Sequence, residues 1–149
     1  MIERDATIFL IDDDLSVRRG LERLLRSAGY SVETFASARE FLERGGDCRR
    51  AACLMIDVRM PGQSGIELFE ALVHGGYNIP AIFISGYGEV SVAVRAMKAG
   101  AVDFLPKPFD ERTLLDAVSQ AIGERAQRPR TDDDRATRGP EWSRSRSRD

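Results

Sequence analysis

The chain has 149 residues, 42% of them hydrophobic and 31% charged, with a formal net charge of -2, which suits one globular domain with a real core rather than a disordered or membrane chain. No apolar run approaches the ~18 residues of a membrane span, the apolar part of "MIERDATIFLIDDD" is too short for a signal peptide, and Cys48 and Cys53 lack zinc or redox spacing, so a cytoplasmic location is expected. Residues 126–149 hold seven Arg against five acids, and neither this segment nor the acidic remainder has the charge of a dedicated nucleic-acid surface.

Taken in chain order, Thr7 to Ile11 forms the first short apolar run, a strand by its continuity. Val17, Leu21, Leu24, Leu25 and Ala28 then fall at i, i+4, i+7, i+8 and i+11, one face of an amphipathic helix that Gly29 stops. A strand over Ser31 to Phe35 and a helix from Ala38 to Glu43 follow. The run Ala52 to Ile56 is the third strand, leading to a helix from Ile66 to His74. Ala81 to Ser85 is the fourth strand, with a helix over Val90 to Ala99 closed by Gly100. Asp103 to Leu105 is the fifth, and a helix from Leu114 to Arg125 is capped by Asp110. Cys53 is expected to pack in its strand as a small hydrophobe.

Five strand and helix units in alternation predict an α/β fold with a parallel sheet and helices on both faces, because parallel strands need crossovers and strands covered twice read as unbroken apolar runs. After Arg125 the pattern stops. "AQRPRTDDDRATRGPEWSRSRSRD" has one large apolar residue, Trp142, so residues 1–125 are expected to form the domain and 126–149 a disordered Arg- and Ser-rich tail.

In open sheets of this kind ligands bind beyond the carboxyl ends of the strands. There the chain places Asp12, Asp13 and Asp14, then Asp57, then Ser85, then Lys107. Each alone has a plain explanation: an acidic run as a solvated helix cap, Ser85 as a turn, Lys107 as a surface residue. Gathered on one edge they repel unless neutralised, and Mg²⁺, which takes carboxylate and phosphate oxygens and keeps several waters, answers that need. Lys107 and Ser85 suit phosphoryl oxygens. Asp57, on a central strand, is the candidate acceptor for an aspartyl phosphate.

These residues resemble the receiver domain of two-component response regulators, over residues 5 to about 124. The resemblance rests on "FLIDDDLSVR", "CLMIDVRMPGQSGIELFEAL" and "IPAIFISGYGEVSVAVRAMKAGAVDFLPKPF", the last most similar to the FixJ-type branch, whose members usually add a helix-turn-helix output domain. It implies a flavodoxin-like, doubly wound five-stranded sheet. It implies that Asp57 is phosphorylated from a histidine kinase's phosphohistidine or a phosphotransfer protein, with Mg²⁺ held by Asp13 directly, Asp12 mostly through water, Asp57 and the backbone carbonyl of Arg59. Ser85 and Lys107 would contact the phosphoryl group, and the Lys107-Pro108 bond is expected to be cis. Asp14 lies outside the matched acid pair and stays a helix cap.

By the same resemblance, Ser85 and Phe104 form the switch pair, and Phe lacks the phenol that many members carry there. Arg59 and Tyr87 sit where the family tunes loss of the phosphate. The first helix is the usual docking surface for the kinase, and the fourth helix, fifth strand and fifth helix form the face offered to an output partner or a second copy.

Competing readings are weaker. Gly86-x-Gly88 lacks the third glycine of a dinucleotide fingerprint, position 91 being Ser91. A phosphatase of the haloacid dehalogenase type needs an Asp two residues after its nucleophile, where this chain has Arg59. His74, the single His, reads as solvated or capping. The "SRSRSR" segment could bind nucleic acid or a membrane surface without specificity, yet reads better as linker. The expected chain is thus a signalling phosphoacceptor rather than an enzyme, with no DNA-binding domain of its own. The alternative is the receiver part of a transcription regulator.

Overall fold

The structure, a computed structural model, describes residues 6–44, 51–60, 62, 64–86 and 90–127, the side chains of 90 and 125–127 excepted. The readings made for Cys48, Pro61, Tyr87, Gly88 and residues 128–149 fall outside the described residues. The elements run β1 (Thr7–Ile11), α1 (Leu15–Ser27), β2 (Ser31–Phe35), α2 (Ala38–Arg44), β3 (Ala51–Asp57), α3 (Gly65–His74), β4 (Ala81–Ser85), α4 (Val90–Lys98), β5 (Asp103–Pro106) and α5 (Glu111–Gln127).

The strands pair in parallel in the order β2-β1-β3-β4-β5. This is the flavodoxin-like doubly wound order, with the chain reversing its direction of travel between β1 and β3. Asp57 therefore ends the central strand.

Strand alternation sends one set of side chains to each face, and both sets are apolar. Phe9, Ile11, Leu54, Ile56 and Phe83 meet Phe41 of α2, Leu68, Phe69 and Leu72 of α3 and Ala96 of α4. On the other face Ile8, Leu10, Cys53, Met55, Ile82 and Ile84 meet Leu21 and Leu25 of α1 and Leu114, Val118 and Ala121 of α5. Cys53 is fully buried and its thiol is pushed up to about 12 by burial, so it is a packing residue and chemically quiet.

The helix ends follow local chemistry. Asp14 Oδ1 accepts the N–H of Val17 at 3.1 Å, Asp110 Oδ1 accepts that of Thr113 at 2.7 Å, and Ser64 with Glu67 forms a reciprocal capping box on α3. Gly29 and Gly100 take φ of +101° and +110° just past α1 and α4, a conformation that favours glycine. Several boundaries differ from expectation. The strand β3 runs from Ala51 through Asp57 and β5 through Pro106, α2 ends at Arg44 and α4 at Lys98, α3 starts at Gly65, and α5 starts at Glu111 and continues to Gln127. Among the described residues no helix is long and apolar enough to cross a membrane.

Candidate functional site

Four strands deliver side chains to the C-terminal edge of the sheet. Beyond β1 stand Asp12, fully buried, and Asp13, exposed; β3 ends in buried Asp57 and β4 in buried Ser85. Carboxylate oxygens of Asp12, Asp13 and Asp57 lie within 4.8 Å of one another. Lys107, just past β5, places Nζ 3.6 Å from Asp12 Oδ2, its N–H donates to the Ser85 carbonyl at 2.6 Å, and the Lys107-Pro108 bond is cis. The residues read from the sequence as one cleft are thus brought together. Asp14 caps α1, and His74 ends α3 exposed, as expected. Phe104, half-buried on β5, packs against the core on the α3 and α4 face.

Asp12 is held at several atoms. Its N–H donates to the Phe35 carbonyl at 3.0 Å, its Oδ1 accepts the Asp14 N–H at 2.9 Å, and its carbonyl accepts from Arg18 Nη1 at 2.7 Å. Its Oδ2 is buried and has no hydrogen-bond partner among the described residues. Such a carboxylate oxygen is costly unless a cation meets it, and Lys107 at 3.6 Å is an ion contact rather than a hydrogen bond. An all-oxygen group of three carboxylates with one orphaned buried oxygen fits a hard divalent cation.

Burial, first, and the negative charge of Asp12, second, push the Asp57 carboxyl up to about 7, against the pull of Lys107 and of the Arg59 N–H, while Asp13 adds to the rise. That N–H donates to Asp57 Oδ1 at 3.3 Å. A carboxyl raised this far marks a buried cleft in which the acids outweigh the one ammonium of Lys107. Among the described residues the buried polar and charged side chains are Asp12, Asp57 and Ser85.

Two contributors escaped the sequence reading. A Cβ on Gly65 would stand 2.3 Å from the Asp57 carbonyl oxygen and 2.7 Å from Ile56 Cγ2, so only glycine lets α3 start this close to the end of β3. The available signal was a glycine directly after the Ser64 cap, at a helix start that glycine otherwise disfavours. The Arg18 guanidinium donates to the backbone carbonyl of Asp12, and no pattern in the sequence announces that.

The chain matches the response regulator receiver domain over residues 8–119. It is 48% identical over 124 residues to the response regulator protein TodT of Pseudomonas putida, covering 82% of this chain and 53% of TodT. It is 43% identical over 132 residues to the transcriptional regulatory protein FixJ of Azorhizobium caulinodans, covering 89% of this chain and 62% of FixJ. The chain spans about half the length of the curated relatives it matches. The crystal structure of FixJ-N superposes with a TM-score of 0.74 at 42% identity, covering 80% of this chain and 94% of that one. With the sheet order, the clustered acids and these matches in agreement, the chain belongs to the response regulator receiver domain family.

Proposed function

We propose that the chain is a phosphoacceptor: Asp57 takes a phosphoryl group from the phosphohistidine of a sensor histidine kinase or phosphotransfer protein, and the product shifts a conformational equilibrium that a protein partner reads. The observation that carries this reading is that the buried polar side chains of the described residues all lie at one edge of the sheet, around Asp57. A fold that needed only stability would fill those positions with apolar groups.

In the transfer, an Asp57 carboxylate oxygen forms the bond to phosphorus while the bond from phosphorus to the donor nitrogen breaks. Asp57 must be ionised to attack, and a carboxyl raised by burial and by Asp12 supports a role for added positive charge in the cleft. Mg²⁺, held by Asp12, Asp13, Asp57 and the Arg59 carbonyl, would neutralise the acids and the phosphoryl oxygens when bound. Lys107 supplies an ammonium to a phosphoryl oxygen, and Ser85 a hydroxyl donor. The same residues assist later loss of the phosphate, so the chain acts on itself and is a signalling phosphoacceptor rather than an enzyme with a turnover substrate.

The switch follows as a population shift. Ser85 moves toward the phosphoryl group and Phe104, on the strand beside it, turns further into the core. The partner face is formed by α4, β5 and α5, where Val94 and Met97 are exposed, and α1, with exposed Leu15 at its start, receives the phosphodonor protein. Incubation with Mg²⁺ and acetyl phosphate should add one phosphoryl group by intact mass to the unmodified chain and none to Asp57→Asn; equal labelling of both would defeat the proposal.

A second reading is favoured by the lengths of the relatives, three of which are named transcriptional regulatory proteins: the chain as the receiver part of a longer transcription regulator. Sequencing the native reading frame past the codon for Asp149 tests it, a helix-turn-helix segment being the expected result.

A further inference from the structure

Asp12 is the most constrained acid of the cleft, and one of its restraints comes from outside the acidic turn. Arg18, one turn into α1, reaches back so that Nη1 donates to the Asp12 carbonyl at 2.7 Å. This bond acts with the Asp12 N–H on the Phe35 carbonyl at 3.0 Å and the Asp14 N–H on Asp12 Oδ1 at 2.9 Å. The backbone of residue 12 is thereby held on both sides, and one carboxylate oxygen, Oδ2, is left over. We propose that Arg18 is a positioning residue for the divalent cation site, fixing the backbone from which Asp12 and Asp13 project.

The inference rests on the reading of the acidic cluster as a Mg²⁺ site. Cation sites tolerate ligand displacements of only about 0.5 Å, and the turn between β1 and α1 has no apolar side chain of its own to lock it, since residues 12–14 are all Asp. A guanidinium donating to a carbonyl replaces that missing packing with a charge-assisted bond. Arg18 also shares its charge with α2, where Glu40 is held below the usual carboxylate range by the Ala36 N–H first, with Arg44 and Arg18 adding to it.

A purely electrostatic role and a positioning role predict opposite signs. A positive group beside the acids repels an incoming cation, so its removal would tighten binding. A group that holds the ligands in place loosens binding when removed, and outer-shell partners of metal ligands are typically worth 10–100-fold.

The experiment uses the full chain and Mg²⁺ alone, with Arg18→Met and Arg18→Lys. Calorimetric titration should show about tenfold weaker Mg²⁺ binding in the Met variant and recovery of most of it in the Lys variant, which restores a donor and the charge. Unchanged or tighter binding in Arg18→Met overturns the proposal. In metal-free protein, amide hydrogen exchange at Asp14 should accelerate severalfold in Arg18→Met while Phe83, in the centre of β4, keeps its protection; unchanged exchange at Asp14 overturns it as well. If the unmodified chain takes up no Mg²⁺, the reading of the cluster fails, and the exchange at Asp14 still decides whether Arg18 positions the turn.

Discussion

At Asp57 the stability of the fold and its proposed chemistry pull in opposite directions. In the metal-free protein its carboxyl is raised to about 7, by burial and by Asp12, from an ordinary value of 3.8. The folded state therefore holds this proton more tightly than the unfolded chain does. The resulting contribution to stability is complete below about pH 4 and is lost as pH rises through about 7. Asn cannot ionise, so Asp57→Asn should match the unmodified chain at pH 4 and exceed it at pH 8. Each tenfold change in proton affinity is worth about 1.4 kcal/mol, which caps the gain at about 4 kcal/mol. Urea denaturation in EDTA at the two pH values measures it, and an equal gap at both would show that charge burial is not the cause. Gly65 is the second residue with a consequence. Gly65→Ala drives a Cβ to 2.3 Å from the Asp57 carbonyl oxygen, so it should cost about 1–3 kcal/mol by overpacking and slow phosphorylation. Gly20, mid-helix on α1 with nothing within 4 Å of a Cβ, should instead gain about 0.5–1 kcal/mol on change to Ala. Thermal melts of the pair separate the two cases.

Among the elements, α4 buries little of its side-chain surface. Ala96 is its fully buried residue among those described, while Val94 and Met97 stand about half exposed. Inward of it lies a groove of about 760 Å³ lined by Val58, Met60, Ile66 and Val92 with Arg59, Ser64, Ser91 and Arg95. Arg95 bridges to Glu70 of α3 through two nitrogens, at 3.1 and 2.7 Å. Exposed pairs contribute little to global stability, but where apolar contact is sparse they set local opening. Arg95→Gln should leave the melting temperature almost unchanged while amides of α4 exchange faster and those of α3 do not; uniform exchange would remove the pair from any restraint on α4. How far elements could be read from the sequence depended on their apolar content. The regular spacing from Val17 to Ala28 locates α1, whereas the first turn of α5, Glu111 to Thr113, carries no apolar residue, and only the Asp110 cap marks it. The end of β3 lies one residue past the apolar run because Asp57 breaks that run while keeping the strand geometry. Asp12, Asp13, Asp57, Ser85 and Lys107 were legible because a topological rule gathers strand ends. Gly65 and Arg18 were not, because each acts on backbone six to eight residues away, a contact set by the folded turn and not by any spacing of residue types.

For the molecule as a whole, the sheet divides two apolar layers and brings Asp12, Asp57 and Ser85, the buried polar residues of the described chain, to one edge. Ligand at that edge is then coupled to the stability of everything beneath it. If the cluster holds Mg²⁺, free cation at a hundred times its dissociation constant should add about 2.7 kcal/mol to the folding free energy, several degrees in melting temperature for a domain of this size. The cation competes with the proton on Asp57, so the gain should be larger at pH 8, where that carboxyl is ionised, than at pH 5, where it is protonated. Melts with Mg²⁺ and with EDTA at both pH values test the coupling. Asp57→Asn, with no proton to displace there, should show a smaller and less pH-dependent gain. A rise equal at both pH values, or shared in full by that variant, would mean that the cation acts elsewhere on the surface and that the orphaned oxygen of Asp12 has another explanation.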